Sequence, residues 1–201
     1  MKQTKLNEKE SLALITSMIQ ESREHFARHA AYPILIWGYT TLVLSIGIWY
    51  AIAYHGCWDA QYAWFLLPLI CYPPTYYFSR KDRQTEGMRT YMERITGEIW
   101  TVFGFVGLLL SCCSFIPQLQ GLLNIYFYIP LLMSMGGTLS GLVNRYKPTV
   151  ICGTVGIVSS FGILLLPLPS GLLLFGAIFA EMTIIPGHLL NRDLKKRCLK
   201  N

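Results

Sequence analysis

Six long stretches of this 201-residue chain contain no Lys or Arg, although 17 such residues occur elsewhere in it. About 20 apolar residues are enough for a helix to cross the roughly 30 Å hydrocarbon core of a bilayer. Each stretch is long enough, so we expect an all-α fold with six transmembrane helices. The expected spans are residues 32–54, 62–79, 99–116, 125–143, 149–167 and 172–190.

Basic residues are also missing from every second connection between these stretches. Segments 55–61, 117–124 and 168–171 have none, whereas 80–98 has five and 144–148 has two. The residues before the first span and after the last span carry five each. Because positive charge resists translocation, segments rich in Lys and Arg are expected in the cytoplasm. The pattern predicts a bacterial inner-membrane protein of three helical hairpins, with both termini cytoplasmic.

The segments outside the spans are too short to fold alone, because a soluble core needs more than about 40 residues. The expected organisation is a leader at 1–31, a membrane domain at 32–190 and a basic tail at 191–201. The leader has no apolar run that could form a signal-peptide core, so the first span is expected to direct insertion. The cytoplasmic position of the basic segments explains the net charge of +6, so nucleic acid is not an expected partner. The expected partner is the lipid bilayer.

The leader has the pattern of an amphipathic helix over residues 7–29. Such a helix lies on the membrane surface, packs beneath the bundle or docks to a cytosolic protein. Segment 80–98 also has an amphipathic pattern, so a cytosolic protein could bind 1–31 and 80–98 together. Pro33 is expected in the first turn of span one, where its missing N–H is harmless. The leader's apolar face contains Leu12, Ile15, Ile19 and Phe26.

Signatures of common enzyme and metal sites are missing from the sequence. It has no GxSxG, HExxH or P-loop motif, and its six cysteines include no CxxC pair. His25 and His29 have a helical spacing that can hold a metal together with Glu21, but such groups on a charged helix face are usually solvated. We therefore predict a non-enzymatic protein without a metal or cofactor.

Glu181 is the one charged residue inside any expected span, about 14 Å from the cytoplasmic end of span six. A carboxylate at this depth is costly unless it is protonated, paired or hydrated. Three interpretations stay open: a protonated Glu181 in an interhelical hydrogen bond, a proton or cation site, or a contact with a lipid headgroup or ligand. The expected hydroxyl partners are Tyr39, Thr40, Thr41, Ser134, Thr138, Thr154, Ser159 and Ser160.

Prolines predict irregular helix geometry in two spans. Pro73 and Pro74 remove two backbone donors from span two, which should kink or break it. Pro186 and Gly187 should loosen span six one turn below Glu181.

His188 lies seven residues after Glu181, which places the two residues on nearly the same face of a regular α-helix. Histidine titrates near neutral pH, so a Glu–water–His relay is one interpretation. The other is that His188 anchors the end of the helix.

Small residues suggest close helix contacts and a weak internal repeat. Gly137 and Gly141 form a GxxxG motif in span four. A Gly and a Ser seven residues apart also recur near the start of each odd span, a pattern that three copies of a hairpin or chance would explain. These pairs are Gly38 and Ser45, Gly104 and Ser111, and Gly153 and Ser160.

Both ends of the chain carry recognisable motifs. They are Leu6-Asn7-Glu8-Lys9-Glu10-Ser11-Leu12 with Met18-Ile19, Trp37-Gly38-Tyr39, and Ile185-Pro186-Gly187-His188-Leu189-Leu190-Asn191. In these motifs and in its hydropathy profile the chain resembles a family of small membrane proteins from Bacteroidetes bacteria that has no assigned activity. The resemblance implies no catalytic residues. It does imply a gene neighbour that encodes a small winged-helix transcriptional regulator.

Two functions follow as hypotheses. The first is a non-enzymatic sensor of an envelope condition, or a tether, that acts through a cytosolic partner. The alternative is a small proton- or cation-coupled transporter or channel that uses Glu181, which would need a homo-oligomer to enclose a solvated path. A membrane-bound enzyme has no supporting residue pattern.

Overall fold

The computed structural model describes residues 8–86, 91–116, 118–119 and 123–198, and within these ranges every regular element is helical. The helices are α1 (Glu8–His55), α2 (Leu66–Glu86), α3 (Tyr91–Cys113), α4 (Ile125–Val143), α5 (Lys147–Ile163), α6 (Ser170–Phe179) and α7 (Ile185–Cys198). A 3-10 helix, Trp58–Phe65, leads into α2, and a π-helical segment, Ala180–Ile184, joins α6 to α7. The predicted all-α fold is therefore confirmed over the described residues.

In the part of the chain that the structure describes, four helical stretches are long and apolar enough to cross a membrane. They are Tyr32–His55, Tyr91–Cys113, Ile125–Val143 and Ser170–Asp193, the last of which contains α6, the π segment and the start of α7. Helix α5 is also apolar but has 17 residues, about 26 Å. Helix α2 ends in a charged stretch. The chain is thus a multi-pass membrane protein.

Helix α1 runs without a break for 48 residues, and Pro33 lies inside it. Pro33 does lie in the first turn of the candidate span Tyr32–His55, but this span continues a longer helix, so the expectation that its missing N–H falls at the start of a helix is wrong. A proline within a helix removes one N–H, a defect that membrane helices tolerate when the surrounding turns are well formed. About 36 Å of α1, from Glu8 to Ala31, precedes its apolar part.

The bundle buries several hydroxyl-bearing residues and leaves many large apolar side chains on its outer surface. Many large apolar side chains are exposed, among them Val43, Leu69 and Phe105. This distribution suits a protein whose solvent is lipid, because hydroxyls prefer the interior and apolar groups face the acyl chains. The buried hydroxyl-bearing residues are Thr41, Ser45, Thr96, Ser134, Ser140, Ser160 and Thr183.

Helices α1, α4, α5 and the α6–α7 run form the core, while α2 packs on α1 and α3 packs mainly on α4. Close approach in the α4–α5 hairpin depends on glycine. A methyl group at Gly141 would lie 2.9 Å from the backbone nitrogen of Val150, and one at Gly153 would lie 2.8 Å from that of Thr138. The other glycine of the predicted GxxxG motif, Gly137, has no such neighbour within 4 Å.

Candidate functional site

Glu181 lies in the π segment, and Pro186 explains why the helix widens there. A proline ring collides with the carbonyl four residues earlier, here that of Met182, and proline has no N–H to donate. The N–H of Ile185 bonds to the carbonyl of Ala180, five residues back instead of four. The irregularity predicted one turn below Glu181 therefore includes Glu181 itself. Single π turns of this kind occur often at functional sites.

The widened turn also affects the backbone carbonyl of Glu181. In a regular α-helix its donor would be the N–H of Ile185, which is bonded to Ala180 instead. The next possible donor along the chain, at position 186, is a proline. The Glu181 carbonyl thus lacks a hydrogen-bond donor at both position 185 and position 186. Glu181 therefore provides a backbone oxygen as well as its carboxylate.

The two residues after Glu181 attach the π segment to the core. Met182 is buried, and its sulfur accepts a 3.4 Å hydrogen bond from Ser134 Oγ on α4. Thr183 is buried beside Gly38 of α1, where a side-chain methyl group at position 38 would collide with it. The π segment is therefore held between α1 and α4.

The Glu181 side chain points towards the edge of the bundle and is half-buried. Ala177 and Ile185, four residues before and after it, are both exposed. Exposed residues therefore lie on both sides of Glu181 along the α6–α7 run. On α5, Cys152 is close enough for the Glu181 charge to act on its thiol, and Val155 is exposed. Glu181 therefore lies beside exposed residues of α5 and of the α6–α7 run, along the line where these two elements pack together, which we call the lateral groove.

The carboxylate of Glu181 has no hydrogen bond or ion pair with any residue in the described ranges. The predicted hydrogen bond to a hydroxyl is thus not found there. Four of the eight expected hydroxyls donate to the carbonyl four residues earlier, as Ser and Thr in helices readily do, and two others bond to residues of another helix. Those with other partners are Tyr39, Thr41, Ser134, Thr138, Thr154 and Ser160.

His188 pairs with Tyr39 of α1 and not with Glu181. The Tyr39 hydroxyl lies 2.7 Å from His188 Nε2, and the two rings meet edge to face with centroids 6.0 Å apart. A π turn acts as one inserted residue and rotates all that follows by about 100°. The expected shared face of Glu181 and His188 is therefore lost. His188 is exposed and links α7 to α1.

Pro73 and Pro74 do not end a helix. Helix α2 continues through both of them to Glu86. Just after the prolines, the Thr75 hydroxyl donates to the Cys71 carbonyl at 2.7 Å and accepts a 3.1 Å hydrogen bond from Trp37 Nε1. This contact joins α2 to α1.

Other predicted features lie partly or wholly outside the described residues. The side chains of His25, His29 and Glu21 are among these, as is part of segment 80–98. Among the side chains that the structure describes, no group of three His, Cys, Asp or Glu residues is placed to hold a metal.

No protein-family model, curated protein or solved structure matches this chain. The resemblance to a Bacteroidetes membrane-protein family thus stays a prediction.

Proposed function

We propose that this protein is a non-enzymatic sensor or tether of the bacterial inner membrane whose Glu181 binds a proton or a small cation. One observation carries the proposal: a carboxylate at membrane depth has no partner among the described residues. An unpaired carboxylate in an apolar setting is costly, and an external proton or cation would relieve that cost. The backbone carbonyl of Glu181, which lacks its two usual helical donors, is a second oxygen that a cation could use.

The proposed topology has six spans and cytoplasmic ends. Besides the four candidate spans, it needs α5 and the apolar part of α2 to cross the membrane. The segregation of all 17 basic residues supports this arrangement. Helix α5 packs closely along α4, and a short span is accommodated by local thinning of the bilayer.

Helix α1 provides the route from Glu181 to the cytoplasm in this proposal. It contacts the π segment at Gly38 and continues without interruption to Glu8. Neutralising Glu181 favours a different packing of the π segment, because the charged form must face the open groove and the neutral form need not. Since α1 is one helix, a displacement at Gly38 is transmitted to the leader, where a cytosolic regulatory protein would bind.

A transporter is the second candidate, and the lateral groove favours it. The Glu181 face is open beside Ala177 and Ile185, so an ion or a proton could leave without unfolding the core. Transport also needs access from both sides of the membrane, which a homo-oligomer could supply.

The first test compares Glu181→Gln with a matched substitution, Glu98→Gln, in purified protein. Glu98 is an exposed carboxylate paired with Arg94 at 3.0 Å. We expect the thermal midpoint of the wild type to change with pH, or on replacing choline chloride by sodium chloride. Glu181→Gln should abolish the sodium response and reduce the pH response, because the amide cannot ionise, and Glu98→Gln should keep both. An unchanged response in Glu181→Gln would exclude Glu181 as the binding group.

A spin label on Thr16→Cys, in a background without the native cysteines, separates the sensor from the transporter. Thr16 is an exposed residue in the leader part of α1, which the proposed topology puts in the cytoplasm. The sensor hypothesis predicts that the label's mobility differs between the wild type and Glu181→Gln under identical conditions. The transporter hypothesis predicts a Glu181-dependent flux in proteoliposomes. A label that does not respond, together with such a flux, would replace the sensor by the transporter.

A further inference from the structure

The turn between α4 and α5 presents a basic side chain from an unusual backbone conformation. The Tyr146 N–H bonds to the Gly141 carbonyl at 2.9 Å, and the Arg145 N–H bonds to the Leu142 carbonyl at 3.1 Å. This pair of bonds is the Schellman motif, which places one residue in the left-handed region and usually has glycine there. Here Arg145 occupies that position with φ of 50°. An exposed arginine at a position that favours glycine indicates that its charge has a use.

A side-chain hydrogen bond brings this turn against α7. The Tyr146 hydroxyl donates to Asp193 Oδ2 at 3.2 Å. Arg145 and Lys147 are the sequence neighbours of Tyr146, and Arg192 precedes Asp193, so this contact brings the backbones of three basic residues to the same end of the bundle. We call Arg145, Lys147 and Arg192 the basic cluster.

The basic cluster is exposed and carries uncompensated charge. All three side chains are exposed, and within the described ranges none of them forms an ion pair. The nearby carboxylate, Asp193, already accepts the Tyr146 hydrogen bond. The site therefore has three cations and one engaged anion.

The position of the cluster defines the anion that fits it. Helix α4 ends at Val143, α5 begins at Lys147 and the apolar stretch of the α6–α7 run ends at Leu190, two residues before Arg192. The cluster thus lies where three helices leave the hydrocarbon region, which is the level of the phospholipid phosphates. Leu142 and Ile151, one turn to either side, are 57% and 62% exposed and can contact acyl chains.

We propose that the basic cluster is a binding site for the headgroup of an anionic phospholipid. The arginines bind the phosphate oxygens by charge-assisted hydrogen bonds, in which guanidinium groups match phosphate geometry. The apolar side chains beside them select a lipid over free phosphate. This site is separate from Glu181 and does not depend on the function proposed for it.

The test is a titration of the purified chain with dioleoyl phosphatidylglycerol in a neutral detergent, read by native mass spectrometry, with phosphatidylcholine as the neutral lipid. The variant Arg145→Gln/Arg192→Gln should bind phosphatidylglycerol about 30-fold more weakly, given the attraction of each basic residue to an anionic surface. The matched control, Arg80→Gln/Arg94→Gln, removes two exposed charges elsewhere and should bind like the wild type. Equal losses in both double variants, or none in the first, would overturn the proposal.

Two further measurements separate the loss of lipid binding from misfolding and distinguish a lipid from free phosphate. Arg145→Gly keeps the left-handed turn while removing the charge, so it should weaken lipid binding in a chain that unfolds no earlier than the wild type. Tight binding of phosphatidylglycerol by Arg145→Gly would contradict the role of Arg145. Glycerol phosphate should bind far more weakly than phosphatidylglycerol. Equal binding of the two would show a free-phosphate site and overturn the lipid assignment.

Discussion

Helices α1 and α3 carry the same Gly and Ser spacing but use it differently. A side-chain methyl group at Gly38 of α1 would collide with the π segment, and Ser45 is fully buried with its hydroxyl donating to the Leu172 carbonyl of α6. At Gly104 of α3 a methyl group would have no neighbour within 4 Å, and the Ser111 hydroxyl bonds only to Gly107 of its own helix.

The difference teaches that a small residue in a membrane helix permits contact but does not create it. Lipid competes with neighbouring helices for every apolar face, so association needs close packing or a hydrogen bond on both sides. Helix α1 has such a partner in the α6–α7 run, whereas much of α3 faces outward, including Phe105 and Leu108. Helix α1 is thus part of the core that holds the π segment, whereas α3 lies at the periphery of the bundle.

The largest expected effect on the free energy of unfolding comes from replacing the glycine of each Gly–Ser pair with a larger residue. Gly38→Leu should destabilise the chain by about 3 kcal/mol or more, because Thr183 and Ile184 have no room to move away. Gly104→Leu should change stability by less than about 0.5 kcal/mol. Denaturation in mixed detergent micelles measures both. Equal losses for the two variants would contradict the distinction between α1 and α3.

Removing the serine hydroxyl of each pair should again destabilise the α1 variant more than the α3 variant, but by a smaller amount. Ser45→Ala loses an interhelical hydrogen bond and should cost about 1 kcal/mol. Ser111→Ala loses a bond within its own helix and should cost less than about 0.5 kcal/mol. The same unfolding assay applies. A larger loss for Ser111→Ala would place α3 in a contact between copies of the chain.

Hydropathy predicted the helical stretches well because apolar composition and length are local properties. The expected span 125–143 coincides with α4, and 32–54 lies within the candidate span Tyr32–His55. The sequence did not predict that the leader and the first span form one helix, because a polar stretch next to an apolar one is compatible with an uninterrupted helix. It also did not predict that α2 continues through Pro73 and Pro74, because a helix can accommodate prolines without ending.

The site was predicted in part. Composition alone identified Glu181 as unusual, and Pro186 indicated a local irregularity. Which turn absorbs the proline depends on the packing of Met182 and Thr183 against other helices, and no local pattern contains that information. The pairing of His188 with Tyr39 depends on the same rotation of the helix, so the sequence could not give it.

The central claim is that Glu181, which has no partner among the described residues, exchanges a proton or cation. It is tested most directly by infrared difference spectroscopy of the carboxylic-acid C=O stretch. Spectra of wild type and Glu181→Gln in lipid are compared between low and high pH, and with and without sodium ions. We predict a band that is lost at high pH or on adding sodium, that has the high frequency of a carboxyl group free of strong hydrogen bonds, and that is absent from Glu181→Gln. A low-frequency band, insensitive to pH and sodium, that disappears in Glu181→Gln would show a structural hydrogen bond and contradict the account.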